Sequence, residues 1–120
     1  MWEVEYTDEF EQWWKLLKEA EQVDIAASIG LFEEHGPNLR HPHSSGINGS
    51  KYGQMRELRI QHSGQPYRIL YAFDPRRTAI LLIGGNKTGN DRWYEKFIPV
   101  ADNLYEQHII TLKKEGLIDG

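Results

Sequence analysis

The segment that decides the fold runs from Met55 to Asn86, MRELRIQHSGQPYRILYAFDPRRTAILLIGGN. Met55 to Gln61 alternates in polarity, Gly64 with Pro66 marks a turn, and Tyr67 to Asp74 is rich in aromatic and branched residues. Pro75-Arg76-Arg77 turns the chain again, and Thr78 to Ile83 is nearly all apolar. Short apolar runs bounded by turn residues predict strands joined by hairpins, and three in succession predict an antiparallel meander. Residues two apart on a strand share a face, so Glu57 and Arg59 should point with Met55 and Gln61 as an exposed polar row, leaving Leu58 and Ile60 for the core. On the next strand Tyr67, Ile69, Tyr71 and Phe73 take one face, and Arg68, Leu70 and Ala72 the other. Long charged groups are rarely buried unpaired, so Arg68 must either pair, with Glu57 for instance, or look into a groove.

Upstream of this segment, Trp2, Val4 and Tyr6 alternate with Glu3 and Glu5, which predicts a half-buried strand. Asp8 with Glu11 forms a capping-box pattern, and Phe10, Trp13, Trp14 and Leu17 make one apolar stripe of a helix. A second helix is expected to carry Val23, Ala26, Ala27, Gly30 and Leu31 and to stop at Gly36-Pro37. Asn38 to Gly53 reads as an irregular loop, and at that length a loop is more often functional than spare. Downstream, after Gly84-Gly85-Asn86, a last helix should carry Phe97, Ala101, Leu104, His108 and Leu112 on one side, with Pro99 tolerable only in its first turn or as a kink. Helices and strands segregated in this way predict an α+β fold, β-α-α-β-β-β-α, with two N-terminal helices and a C-terminal helix on a small antiparallel sheet.

The composition excludes several classes of function. The 120 residues make a single domain, 1–120, and 39% hydrophobic with 27% charged residues supports one core. The longest apolar run, Ala79 to Ile83, is far too short to span a bilayer. With no cysteine, there are no disulfides, thiol nucleophiles or thiolate metal sites. The opening residues lack a basic stretch followed by an apolar one, so a cytoplasmic location away from membranes is expected. The net charge of -4 conceals a partition: residues 1–37 hold 10 acids and 2 bases, residues 38–92 hold 3 acids and 9 bases, and residues 93–120 hold 5 acids and 3 bases. A basic centre between acidic ends fits a polyanion-binding face on an acidic body, as well as a scatter of surface arginines.

The meander concentrates the cations, with Arg56 and Arg59 on its first strand, Arg68 on its second, Arg76 and Arg77 in the following turn, and Lys87 past the third. Gly84 to Gly89 follows a strand but lacks the glycine four residues ahead of a Gly-Lys pair, and the chain has no βαβ unit, so a nucleotide-binding P-loop is rejected. Lys87, among small residues that allow close approach, is either a phosphodiester contact or a solvated turn lysine. His41-Pro42-His43 with His35 lacks a carboxylate at ligand spacing, which speaks against a zinc site. His41 and His43, beside Arg40, better fit contact with phosphate or a protein partner, and His108 and the Trp13-Trp14 pair fit the core.

The element order, together with Leu39-Arg40-His41-Pro42, Met55 to Ile60, Pro66 to Asp74 and Ile80 to Thr88, resembles the RelE/HigB superfamily of toxin–antitoxin ribonucleases, and most of all its phage-derived HigB-like branch. The resemblance covers residues 1 to about 114. It implies a metal-independent endoribonuclease without cofactors, an mRNA interferase acting on translating ribosomes with the RNA 2′-hydroxyl as nucleophile. In that chemistry cations hold the scissile phosphate, one proton leaves the 2′-hydroxyl and another reaches the departing 5′-oxygen. By position the resemblance assigns Arg68 to the phosphate, Arg59 to phosphate or proton transfer, Lys87 to transition-state charge, and Tyr94 to the aromatic hydroxyl that follows. Glu57 stands where other members have a second basic residue, as a general base or as an ion-pair partner. RNA contacts are expected from Arg40, His41, His43, Arg56, Arg76, Arg77 and Arg92. The implied partners are a cognate helix-turn-helix antitoxin and mRNA on the ribosome, with DNA reached only through the antitoxin. The alternative is a catalytically silent RelE-fold binding module or phage accessory protein acting through its partner.

Overall fold

A computed structural model describes residues 1–120. The chain runs β1 (Val4–Tyr6), α1 (Asp8–Leu16), α2 (Glu19–His35), a short 3-10 turn (Gly36–Asn38), β2 (Ser44–Gly46), β3 (Arg56–His62), β4 (Gln65–Phe73), β5 (Ala79–Asn86) and α3 (Trp93–Lys114). One sheet holds the strands in the order β1-β5-β4-β3-β2. The meander forms as expected, with β3 against β4 and β4 against β5 both antiparallel. Two features correct the expected topology. β1 joins β5 in parallel, so the sheet is mixed, and Ser44–Gly46 inside the anticipated loop pairs with β3 as an extra edge strand. Three residues with small side chains carry no readable periodicity, and their pairing is supplied by the free edge of β3.

Helices cover both faces of the sheet. Phe10 of α1 and Ile25 and Phe32 of α2 pack with Leu58, Ile60, Ile69, Tyr71 and Leu81 on one face. Trp93, Ile98, Ala101 and Tyr105 of α3 pack with Met55, Leu70, Ala72, Ile80 and Leu82 on the other. Covering both faces buries β4 continuously from Tyr67 to Ala72. It also corrects the exposed polar row on β3: Met55 and Glu57 are buried, Arg59 is half-buried and Gln61 is exposed. The stripe expected on α2 is likewise displaced: Val23, Ala26, Ala27 and Gly30 are exposed while Ile25 and Phe32 are buried. In a helix this rich in alanine and aliphatic residues, the bulkiest side chains set which face goes inward. On α3 the buried set is Trp93, Ile98, Ala101, Asp102, Tyr105 and Leu112, so the inward face is rotated from the predicted one, with His108 at its margin. The α1 cap is Thr7 rather than Asp8; its hydroxyl accepts from the Phe10 amide at 3.0 Å and donates to the Leu82 carbonyl at 2.6 Å, which ties the helix to β5.

Gly84 and Gly85 are demanded by packing, not by an approaching phosphate. A Cβ on Gly84 would lie 2.3 Å from the Trp13 ring, and one on Gly85 would lie 2.5 Å from Trp93 Nε1. One tryptophan comes from each helical layer, so these adjacent glycines let both layers close on β5. Gly84→Ala is expected to cost about 1–3 kcal/mol through overpacking. Gly30→Ala, in mid-α2 with nothing within 4 Å of the new methyl, should gain roughly 0.5–1 kcal/mol. Urea denaturation of the two variants checks both signs.

Candidate active site

Glu57 is the centre of the polar cluster on the α3 face. Its Oε2 accepts from Ser45 Oγ at 2.7 Å and from Arg59 Nη1 at 3.2 Å, and its Oε1 accepts from the Tyr94 hydroxyl at 2.6 Å. Arg68 Nε lies 3.6 Å from the same Oε1. The Glu57 and Arg68 side chains are only 4% and 5% exposed, whereas Arg59 remains 31% exposed. The sheet register explains the convergence. Arg59 is directly opposite Arg68, Ser45 is opposite Glu57, and residues opposite one another in an antiparallel pair share a face. Two arginines facing each other across a ladder repel, and Glu57, two residues from Arg59 on the same face, supplies the negative charge between them.

Arg68 is both paired and incompletely satisfied. One Nη donates to the Tyr67 carbonyl at 2.9 Å. Its Nε is buried with no hydrogen-bond partner, since 3.6 Å to Glu57 is an electrostatic distance and not a hydrogen bond. A buried donor left open costs free energy unless something else fills the position.

Tyr94, on the first turn of α3, stands over the cluster. Burial pushes its phenol above the ordinary tyrosine range and the Glu57 carboxylate adds to that, with Arg68 opposing. The phenol therefore keeps its proton at neutral pH and serves as a donor. Lys87 lies just beyond the end of β5, where its amide donates to the Pro66 carbonyl at 3.0 Å, and its Nζ sits 5.6 Å from the centre of the Tyr94 ring. A cavity of about 270 Å³ lined by Gly46, Ile47, Asn48, Glu57 and Tyr94 opens beside the cluster. A separate groove of about 360 Å³ lies on the opposite face of the sheet, lined mainly by apolar residues of β1, α1 and α2, and none of the cluster residues reaches it.

The structure thus brings together Glu57, Arg59, Arg68, Lys87 and Tyr94, all five residues anticipated at the chemical centre. It divides the anticipated RNA contacts. The His43 carbonyl accepts from the Arg59 amide at 2.9 Å, which holds His43 beside Arg59, and Arg40, His41 and His43 are exposed. Arg56 Nε donates to Ser44 Oγ at 3.3 Å on the β2 edge. Arg92 is exposed at the start of α3, with Glu95 3.8 Å away. Arg76 and Arg77 belong elsewhere, beyond the other end of β4, about 20 Å along the strand from Arg68. Arg76 is held by Asp74 at 2.7 Å and Glu5 at 2.8 Å, and Arg77 lies over the Trp2 ring. Burial opposes ionisation of Asp74, but hydrogen bonds from Arg76 and His108 outweigh it and hold the carboxyl below its ordinary range. These groups lock the β4–β5 turn to β1 and α3. The basic centre of the sequence is therefore two clusters, not one face.

Sequence reasoning missed Ser45, whose hydroxyl holds Glu57, and Gly46 to Asn48, which line the cavity. The available signal was the length of the Asn38–Gly53 loop, which pointed to function without pointing to a residue.

Comparison with known proteins places the chain. Residues 12–106 match the family described as phage derived protein Gp49-like (DUF891). The Mycobacterium tuberculosis protein HigB3, named as a toxin, is 42% identical over 102 residues, covering 84% of this chain and 88% of its own. HigB2 of the same organism, also named as a toxin, is 41% identical over 87 residues; the match takes in 71% of this chain but only 43% of that longer relative. Among solved structures, the isolated E. coli RelE toxin superposes with a TM-score of 0.58 at 11% identity, covering 79% of this chain and 94% of RelE. The archaeal RelE of Pyrococcus horikoshii, solved in complex with RelB, gives 0.54 at 15% identity, covering 74% and 97%. The fold is that of RelE.

Proposed function

The chain belongs to the phage-derived Gp49-like family, whose relatives here are HigB toxins of RelE fold, and from that membership we propose that it is the toxin of a type II toxin–antitoxin pair, a metal-independent endoribonuclease acting on mRNA engaged by the ribosome. The observation that carries the enzymatic reading is the convergence of three cations, a protonated phenol and a carboxylate at one end of the sheet beside an open cavity. Arg59 and Lys87, the two cations with solvent access, receive the scissile phosphate and its developing charge, and Arg68 backs them from below. Glu57 takes the proton of the 2′-hydroxyl as that oxygen bonds to phosphorus. The P–O5′ bond breaks, and Tyr94 gives its proton to the departing 5′-oxygen. The products are a 2′,3′-cyclic phosphate and a 5′-hydroxyl, and the direct Tyr94–Glu57 hydrogen bond returns the proton to the phenol. Arg40, His41, His43, Arg56 and Arg92 are proposed to contact flanking RNA.

The partner is proposed to be a helix-turn-helix antitoxin, through which any DNA binding would occur; complexes of RelE with RelB support an antitoxin of some kind. No helix is long and apolar enough to cross a membrane, and a cytoplasmic site of action follows from the proposed substrate. An acidic antitoxin segment would find Arg59 and Lys87, because Arg68 is buried behind Glu57.

Primer extension on a translated message, with and without ribosomes, tests the activity. Wild type should leave 5′-hydroxyl ends, and Lys87→Ala should slow cutting by roughly 100-fold. An uncut message, or 5′-phosphate ends of the kind a metal-activated water leaves, would overturn the proposal. The engagement of both arginines by Glu57 favours one second reading, a catalytically silent binding module; growth arrest without any cut would support it.

A further inference from the structure

The hydrogen bonds around Glu57 resemble those a phosphate would make. Two guanidinium groups from facing strands, a serine hydroxyl and a phenol all converge on one carboxylate. Arg59 and Arg68 cannot give their charge to a substrate while Glu57 holds it, and a carboxylate engaged by two arginines and two hydroxyl donors is not free to meet a 2′-hydroxyl. Both difficulties have one resolution. We propose that Glu57 stands in for the scissile phosphate in the RNA-free protein, and that a phosphate seated on Arg59 and Arg68 displaces it, leaving the carboxylate held by Ser45 and Tyr94 and only then free to take the proton of the 2′-hydroxyl. This deepens the endoribonuclease reading and rests on it.

Three observations point the same way. The buried Arg68 Nε has no hydrogen-bond partner, so the guanidinium keeps an open donor that a phosphate oxygen would fill. Arg59 is partly exposed and meets Glu57 at 3.2 Å, the longest of the three hydrogen bonds to the carboxylate. Ser45 and Tyr94 bind opposite oxygens of Glu57 at 2.7 and 2.6 Å, so releasing the arginines leaves the carboxylate anchored at both ends. Ser45 is a positioning residue in this scheme. The base is switched on by the substrate, which prevents the free protein from carrying an open pair of arginines alongside an active base.

Two measurements test the proposal. The first is the affinity of a fluorescent oligonucleotide with 2′-hydrogens, which binds without being cut, for wild type, Glu57→Gln and Ser45→Ala. The second is the pH dependence of message cleavage on ribosomes. Glu57→Gln should bind the oligonucleotide at least tenfold more tightly yet cleave at least tenfold more slowly, with the acid limb of the wild-type profile gone. Ser45→Ala should move that acid limb to higher pH, because losing the serine donor favours the protonated carboxyl; a merely structural role would lower the rate equally at every pH. Unchanged or weaker binding by Glu57→Gln overturns the phosphate stand-in, and cleavage at or above the wild-type rate overturns the base. If Glu57→Gln fails to fold, the Ser45→Ala profile decides alone, an unmoved acid limb counting against the proposal. If wild type cuts no RNA, the endoribonuclease reading falls and the substrate-triggered base with it, while the binding arm still reads whether Glu57 occupies the place of a phosphate.

Discussion

Arg68→Ala is expected to lower folding stability by about 3–5 kcal/mol, the usual cost of removing one partner from a buried ion pair. The Arg68 and Glu57 side chains are 5% and 4% exposed, so the alanine variant leaves Glu57 buried with only Arg59 to balance it. Loss of toxicity in that variant would therefore report unfolding as much as chemistry. Urea denaturation separates the two, and the double variant Arg68→Met with Glu57→Leu supplies the control. Replacing both charges by apolar groups of similar size should recover most of the stability while leaving the protein inactive. An Arg68→Ala protein as stable as wild type would mean that this pair is not a structural element of the sheet.

Tyr94→Phe should reduce message cleavage by roughly 10²–10⁴-fold, the range for loss of a positioned general acid. The ring, and with it the packing against Lys87 and Trp93, is retained. The stability cost should be that of one hydrogen bond, about 0.5–1.5 kcal/mol. The direction of the pH dependence follows from the phenol being the active form. Burial and the Glu57 carboxylate raise its pKa, so activity that depends on it should persist up to and beyond the ordinary tyrosine value of about 10. Single-turnover cleavage with thermal melts on the same samples measures both effects. A variant that cuts at the wild-type rate would remove Tyr94 from the chemistry.

Much of the site was legible because strand periodicity carries information across the sheet as well as along it. Knowing that Tyr67 to Asp74 pairs with Met55 to Gln61 is enough to suspect Arg68 and Glu57 of meeting, and they do meet. Lys87 stood out by its place just past the third strand, and the family resemblance gave it a role and added Tyr94, which lies on another element and shares no period with the strands. Ser45 was not legible, since a three-residue edge strand takes its register from its neighbour and not from its own pattern. Arg76 and Arg77 were misplaced for the opposite reason. Counting charge along the chain ignores that Arg68 and Arg76 lie toward opposite ends of β4, about 20 Å apart along the strand, and Arg76 had its partners at Glu5 and Asp74.

Local pattern was enough for the order of the helices and of every strand but the three-residue β2, for the antiparallel meander and for the residue types available for chemistry. Hydrophobic periodicity and turn residues are local, and the absence of cysteine is absolute. Which face of each element is buried was settled by the packing of the layers, because it depends on what lies against that face. Placing α3 over the strands opposite α1 and α2 buried Met55 and Glu57, half of the expected solvent-facing row. It also turned Glu57 from a surface acid into the carboxylate on which Arg59, Arg68, Ser45 and Tyr94 converge.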